Sequence, residues 1–185
     1  MPEGGVELLT HWESFCVITG SSAAVLIGLQ FVVIVLGAEM NRGTTETTRA
    51  FGTPTIVHFC SVLLVATVLC APWSSLLPVA VLLGLCGLCG LLYGAVLVRA
   101  ARSQSAYTPV LEDWICHFTL PPLAYAALLL AGTMLPSAPE TALFILAAAV
   151  LVLLFDGIHN AWDAVTFIAV SQRRAEEKPQ EQAGK

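Results

Sequence analysis

The sequence predicts an all-α polytopic membrane bundle of five transmembrane helices, with the N-terminus outside and the C-terminus in the cytoplasm. Three observations predict it. Of 185 residues, 57% are hydrophobic and 11% charged, whereas a soluble domain carries about 25% charged residues. Five apolar runs approach or exceed the ~20 residues a helix needs to cross a hydrocarbon core of ~30 Å. All eight lysines and arginines fall on one side of the path those five runs define. The same composition excludes a soluble enzyme and a disordered chain. A net charge of −5 without a basic stripe excludes a nucleic-acid partner. No phosphate-binding loop, dinucleotide fingerprint or nucleophile elbow is present.

The expected spans are Ser14–Ala38, Pro54–Ala71, Leu76–Val98, Trp114–Leu135 and Pro139–Trp162. Helix is the expected form because a lone segment in lipid must satisfy its own backbone groups. The first span is retained as a helix and is not a cleavable signal: Met1–Glu13 holds three glutamates and no lysine or arginine. Thr53-Pro54 reads as a cap followed by proline in the first turn of the second span, and Ala71-Pro72 ends it. Ser137-Ala138-Pro139-Glu140 opens the fifth span in the same way. In the fourth span Pro121 and Pro122 are expected inside the helix. There they would kink it and free the carbonyls of His117 and Phe118. These spans form one transmembrane domain over residues 1–170, and residues 171–185 read as a disordered cytosolic tail.

Orientation comes from Arg42, Arg49, Arg99, Arg102, Arg173, Arg174, Lys178 and Lys185, which all lie on the side of the C-terminus. By the positive-inside rule that side is cytoplasmic. Trp12 and Trp73 then sit at the outer interface, Trp114 and Trp162 at the inner one. The expected location is a prokaryotic plasma (inner) membrane, with the lipid bilayer as the first partner. Gly20, Ala24 and Gly28 in the first span, and Ala80, Gly84, Gly90 and Gly94 in the third, allow close helix approach. They serve packing within the bundle or a homo-oligomer.

Cys86 and Cys89 form a C-x-x-C pair in mid-membrane and read as small packing residues. Cys60 and Cys116 do not share a helix face with the neighbouring His58 and His117. Cys16 and Cys70 fall near the outer face, where a disulfide is geometrically open and the sequence does not decide it.

The functional locus is expected at the cytoplasmic end. Asp156, His159, Asn160 and Asp163 recur at i, i+3, i+4 and i+7, one helical stripe on an otherwise apolar surface. Such a stripe points into a bundle or a water-filled cavity. His58 on the second span, and Asp113 and His117 on the fourth, enter the membrane at the same level; Gln30 and Glu39 can join them. His11 lies at the opposite face, and Thr67, Tyr125 and Thr133 read as isolated.

Three uses of this set stay open. It can be interhelical glue, or a ligand or proton site of a small transporter, sensor or accessory subunit. It can also be a metal or haem site of a membrane enzyme. Zinc or iron would then sit on His58, His117, His159, Asp156 and Asp163, or haem between two histidines.

Overall fold

A computed structural model describes residues 3–40, 45–103 and 119–183. Among these residues the chain is helical between short turns, with no strand. The helices are α1 (Glu3–His11), α2 (Glu13–Met40), α3 (Thr45–Cys70), α4 (Leu76–Ser103), α5 (Leu120–Met134) and α6 (Pro139–Ala183). Four stretches are long and apolar enough to cross a membrane: Glu13–Val35, Thr53–Cys70, Leu76–Arg99 and Pro139–Thr166. The apolar α5 has 15 residues, about 22 Å of helix at 1.5 Å per residue. The expected fourth span is therefore described only from Thr119 onward, and Asp113, Trp114, Cys116 and His117 lie outside the described residues.

Several helix boundaries differ from expectation. Residues before the first span form α1, and its Leu9 is buried against the bundle. Trp12 turns the chain into α2, stacking edge-on against Phe15 and Phe144 at centroid distances of 5.8 and 5.0 Å. The helix expected to begin at Thr53-Pro54 begins at Thr45, with Pro54 in its interior. Proline has no N–H for the carbonyl four residues back, so that turn loses one rung while the helix continues.

In α5 the difference is reversed. Pro121 and Pro122 occupy its first turn after Thr119, not the interior of a kinked helix. The first N–H groups of a helix have no intrahelical acceptor, so proline costs nothing there. The tail expected to be disordered is helical as far as Ala183. Its Gln, Arg, Ala, Glu and Lys residues are strong helix formers, Pro179 being the exception.

The helices alternate in direction. Gly20 approaches Ala66 so closely that a Cβ on the glycine would lie 2.9 Å from that of Ala66, and Cys16 faces Cys70 one turn away. That order is antiparallel. Along α4 and α5, Gly84 faces Gly132, Gly87 faces Leu129, Gly90 faces Tyr125 and Gly94 faces Pro122, again antiparallel. The α5–α6 turn is tight, with the Ala138 and Ser137 N–H groups donating to the Met134 carbonyl at 2.8 and 3.0 Å. At the end of α3 the Trp73 indole donates to the Val68 carbonyl at 2.6 Å. It thereby satisfies one of the acceptors left open at a helix C-terminus.

α3 and α6 form the middle of the bundle. Phe59, Val62 and Val65 of α3 are buried against Leu143, Leu146, Val150 and Leu153 of α6. α2 lies against α3 and α6, α5 lies against α6, and α4 covers α5. The outward faces of α2 and α4 stay apolar: Val17, Val25, Leu29 and Val32 on one, Leu85, Leu88, Leu92 and Val96 on the other. Apolar side chains facing outward on long apolar helices are consistent with a membrane protein, whose solvent is hydrocarbon.

Candidate functional site

The polar side chains at this end of the bundle come from four helices. His58 and Ser61 share one face of α3, and the Ser61 hydroxyl donates back to the Val57 carbonyl at 2.8 Å. Asp156 and Asn160 stand one turn apart on α6, and both are buried, at 4% and 5% exposure. Tyr125 enters from α5, and Cys86 and Tyr93 from α4.

Glycine sets the separation of these helices. Gly157, beside Asp156, leaves the space that the Phe59 ring fills; a Cβ there would lie 2.5 Å from Phe59 Cε1. The Tyr125 ring lies flush on Gly90, where any Cβ would overlap it. Both glycines bring a polar neighbour to its partner: Gly157 draws α6 onto α3, and Gly90 seats the tyrosine.

Tyr125 is the hub. Its hydroxyl lies 3.0 Å from His58 Nδ1 and 3.0 Å from Ser61 Oγ. On the other side of the imidazole, His58 Nε2 is 3.8 Å from Asp156 Oδ2, within ion-pair reach and beyond a direct hydrogen bond. Asp156 Oδ2 also accepts from Asn160 Nδ2 at 3.2 Å. A chain thus runs Ser61, Tyr125, His58, Asp156, Asn160 through α3, α5 and α6.

The direction of the hydrogen bonds along Ser61, Tyr125 and His58 is open. Ser61 can donate to Val57 and accept from Tyr125, or donate to Tyr125, which then donates to His58 Nδ1. Two hydroxyls and an imidazole can switch between these patterns because each is both donor and acceptor.

Two acceptors stay open. Asp156 Oδ1 and Asn160 Oδ1 are buried and have no hydrogen-bond partner among the described residues, and the Tyr93 hydroxyl is likewise buried without one. Buried carbonyl-type oxygens are normally paired, because leaving one unpaired costs about 1–3 kcal/mol. A pair of open acceptors on one helix turn, one of them on a carboxylate, is suited to a hydrogen-bond donor or a proton.

The expected stripe on α6 splits. His159 and Asp163 pair with each other at 3.3 Å on the flank, with side chains 34% and 51% exposed. Four residues spanning i to i+7 cover about 100° of helix surface, wider than the sector α3 closes off. The i, i+4 pair faces inward and the other pair faces out. Gln30 is buried in α2. The Asp113 and His117 positions lie outside the described residues.

Of the metal set suggested by sequence, His117 lies outside the described residues. Among the described residues no three His, Cys, Asp or Glu side chains converge on one point. His58 and Asp156 meet, but His159 and Asp163 turn away on the outer arc of α6. No described cysteine or acid replaces them as ligands.

Tyr125, read from sequence as isolated, joins three helices instead. The signal that pointed to it was indirect: in Gly87-Leu-Cys-Gly90 the glycines recur at one face of α4, which marks where a large ring from another helix can lie. Ser61 sits at i+3 from His58, so its face was also readable. Comparison with protein-family models, curated proteins and solved structures gave no match.

Proposed function

We propose that this chain is a multi-pass plasma-membrane protein whose buried His58–Asp156 pair is a reversible proton-binding site, as in a small proton-linked transporter or sensor. The observation that carries the reading is the pair of unpartnered buried acceptors, Asp156 Oδ1 and Asn160 Oδ1, beside a reversible Ser61–Tyr125–His58 chain. A purely structural network gains most when every polar atom is satisfied. This one is satisfied on the Tyr125 side and open on the Asp156 side, where a proton, water or another small hydrogen-bond donor enters. Histidine is the side chain whose unperturbed form changes charge near neutral pH, which suits it to a reversible proton site.

The topology that goes with this reading has five spans, α5 being the fourth, with the N-terminus outside. It is supported by the antiparallel register of α4 and α5, which sets α5 alongside α4 from Gly94 down to Gly84. The one-sided distribution of basic residues supports it as well. The proton site then lies near the cytoplasmic face, because His58 follows the entry of α3 and Asp156 precedes the exit of α6.

The test is histidine-selective ¹⁵N NMR of the full chain in detergent or nanodiscs, titrated across about pH 5–8. Resonances are assigned by single histidine substitutions. In Asp156→Asn the His58 titration curve moves, and in Tyr125→Phe the Nδ1/Nε2 tautomer balance of His58 changes. His11, at the far end, is unaffected in both. A His58 curve identical in wild type and Asp156→Asn overturns the shared-proton reading.

A further inference from the structure

The opposite end of the bundle holds a second reactive pair. Cys16 in the first full turn of α2 and Cys70 at the last residue of α3 lie on the facing sides of two antiparallel helices. Their thiols are in side-chain contact, and both are reduced in this structure. One turn deeper, Gly20 and Ala66 hold the helix axes close, with only 2.9 Å left for a Cβ–Cβ approach. That tight crossing lies one turn from the cysteines. Bridging two cysteines requires Cβ atoms within about 3.5–4.5 Å, which close helix approach favours. The two differ in access: Cys16 is 2% exposed, whereas Cys70 is open at the helix end beside the Ala71–Ser75 turn.

We propose that Cys16 and Cys70 are a thiol modification site, a dithiol that exchanges with a disulfide oxidant to become an intramolecular disulfide stapling α2 to α3. The reaction balances in two steps. The Cys70 thiolate attacks one sulfur of the oxidant, forming a mixed disulfide and releasing the other half as a thiol. The Cys16 sulfur then attacks Cys70 Sγ and releases the second half. The two cysteines lose two electrons and two protons together; the oxidant's S–S bond takes the electrons and its two thiols carry the protons. Access dictates the order, since only Cys70 can meet a bulky oxidant, and the buried Cys16 is already positioned to resolve the mixed disulfide. The remaining described cysteines, Cys60, Cys86 and Cys89, lie further along α3 and α4, away from this end. The proposal needs only the α2–α3 packing and is independent of the proton site.

The experiment uses the purified full chain in detergent, incubated with glutathione disulfide, quenched with an alkylating reagent and mapped by peptide mass spectrometry. The expected product is a Cys16 peptide joined to a Cys70 peptide, two hydrogens lighter than the reduced pair, on a protein that stays monomeric on a non-reducing gel. In Cys16→Ser the reaction stops at a Cys70–glutathione mixed disulfide, which shows the order of attack. Oxidised wild type unfolds at higher temperature than reduced, and a reductant reverses the shift. Cys16 and Cys70 both alkylated after the incubation overturn the proposal. So does a Cys70–glutathione adduct that persists in wild type, or either cysteine paired elsewhere.

Discussion

At the scale of single residues, Tyr125 and Asp156 divide the labour. Tyr125 ties α5 to α3 through its hydroxyl, and Asp156 brings the only described buried carboxylate to His58. Interhelical hydrogen bonds in membrane proteins are worth about 0.6–2 kcal/mol each. Tyr125→Phe is therefore expected to lower stability by about 1–2 kcal/mol, read as earlier thermal unfolding in detergent. His159→Ala should behave differently. Its partner Asp163 is half exposed, and exposed ion pairs contribute about 0–1 kcal/mol. A loss in His159→Ala as large as in Tyr125→Phe would show that the flank pair is part of the core network. The sequence made Asp156, His159, Asn160 and Asp163 look equivalent because a 3.6-residue period groups them. It could not say which half of the arc a neighbouring helix would cover.

At the scale of the helices, small residues decide who touches whom. The Gly84, Gly87 and Gly90 face of α4 is covered by α5, where a Cβ on Gly87 would lie 2.5 Å from the Leu129 backbone nitrogen. Backbone cannot swing aside as a flexible side chain can, so Gly87→Ala must push the helices apart. Overpacking of this kind costs about 1–3 kcal/mol. At Gly28 a methyl group would meet nothing within 4 Å, so Gly28→Ala should leave the unfolding temperature unchanged or raise it slightly. Equal destabilisation by both substitutions would contradict the packing described for α4 and α5. The small-residue pattern was legible in sequence, but its use was not. Small residues four apart on the first span and glycines three apart on the third look alike as strings. Only the bundle shows that Gly20 meets Ala66 and that Ala24 and Gly28 lie on an open face.

For the whole molecule, the proposed five-span topology makes a labelling prediction. A cysteine introduced at Ser137, between α5 and α6, should react with a membrane-impermeant thiol reagent in intact cells, in a background lacking the native cysteines. One introduced at Gln182 should react only after permeabilisation. With the N-terminus outside, labelling of Gln182 but not of Ser137 in intact cells would leave an even number of crossings and remove α5 from the spans. The open Ala24–Gly28 face of α2 is also where we propose a second copy would pack. A monomeric mass for the protein–detergent complex in light scattering would argue against that.

Much of the architecture was readable without coordinates, because the solvent of a membrane protein is encoded in composition. Long apolar runs must become helices when no water is present to satisfy their backbone, and so α2, α3, α4 and α6 follow from hydropathy alone. The common level of His58 and Asp156 also follows, since rise per residue converts position in a run into depth. Depth does not contain rotation. Whether a side chain meets its partner depends on the angle each helix presents and on how near two backbones come, and both are set by pairs of residues far apart in the chain. Gly90 under the Tyr125 ring and Gly157 under Phe59 make those approaches, and Gly20 against Ala66 brings Cys16 to Cys70. The sequence by itself determined which long apolar runs become helices and that His58 and Asp156 stand at a common level along them. The tertiary structure alone decided that Ser61, Tyr125, His58 and Asp156 form one chain while His159 and Asp163 face away, because contact between helices is a property of their surfaces in pairs.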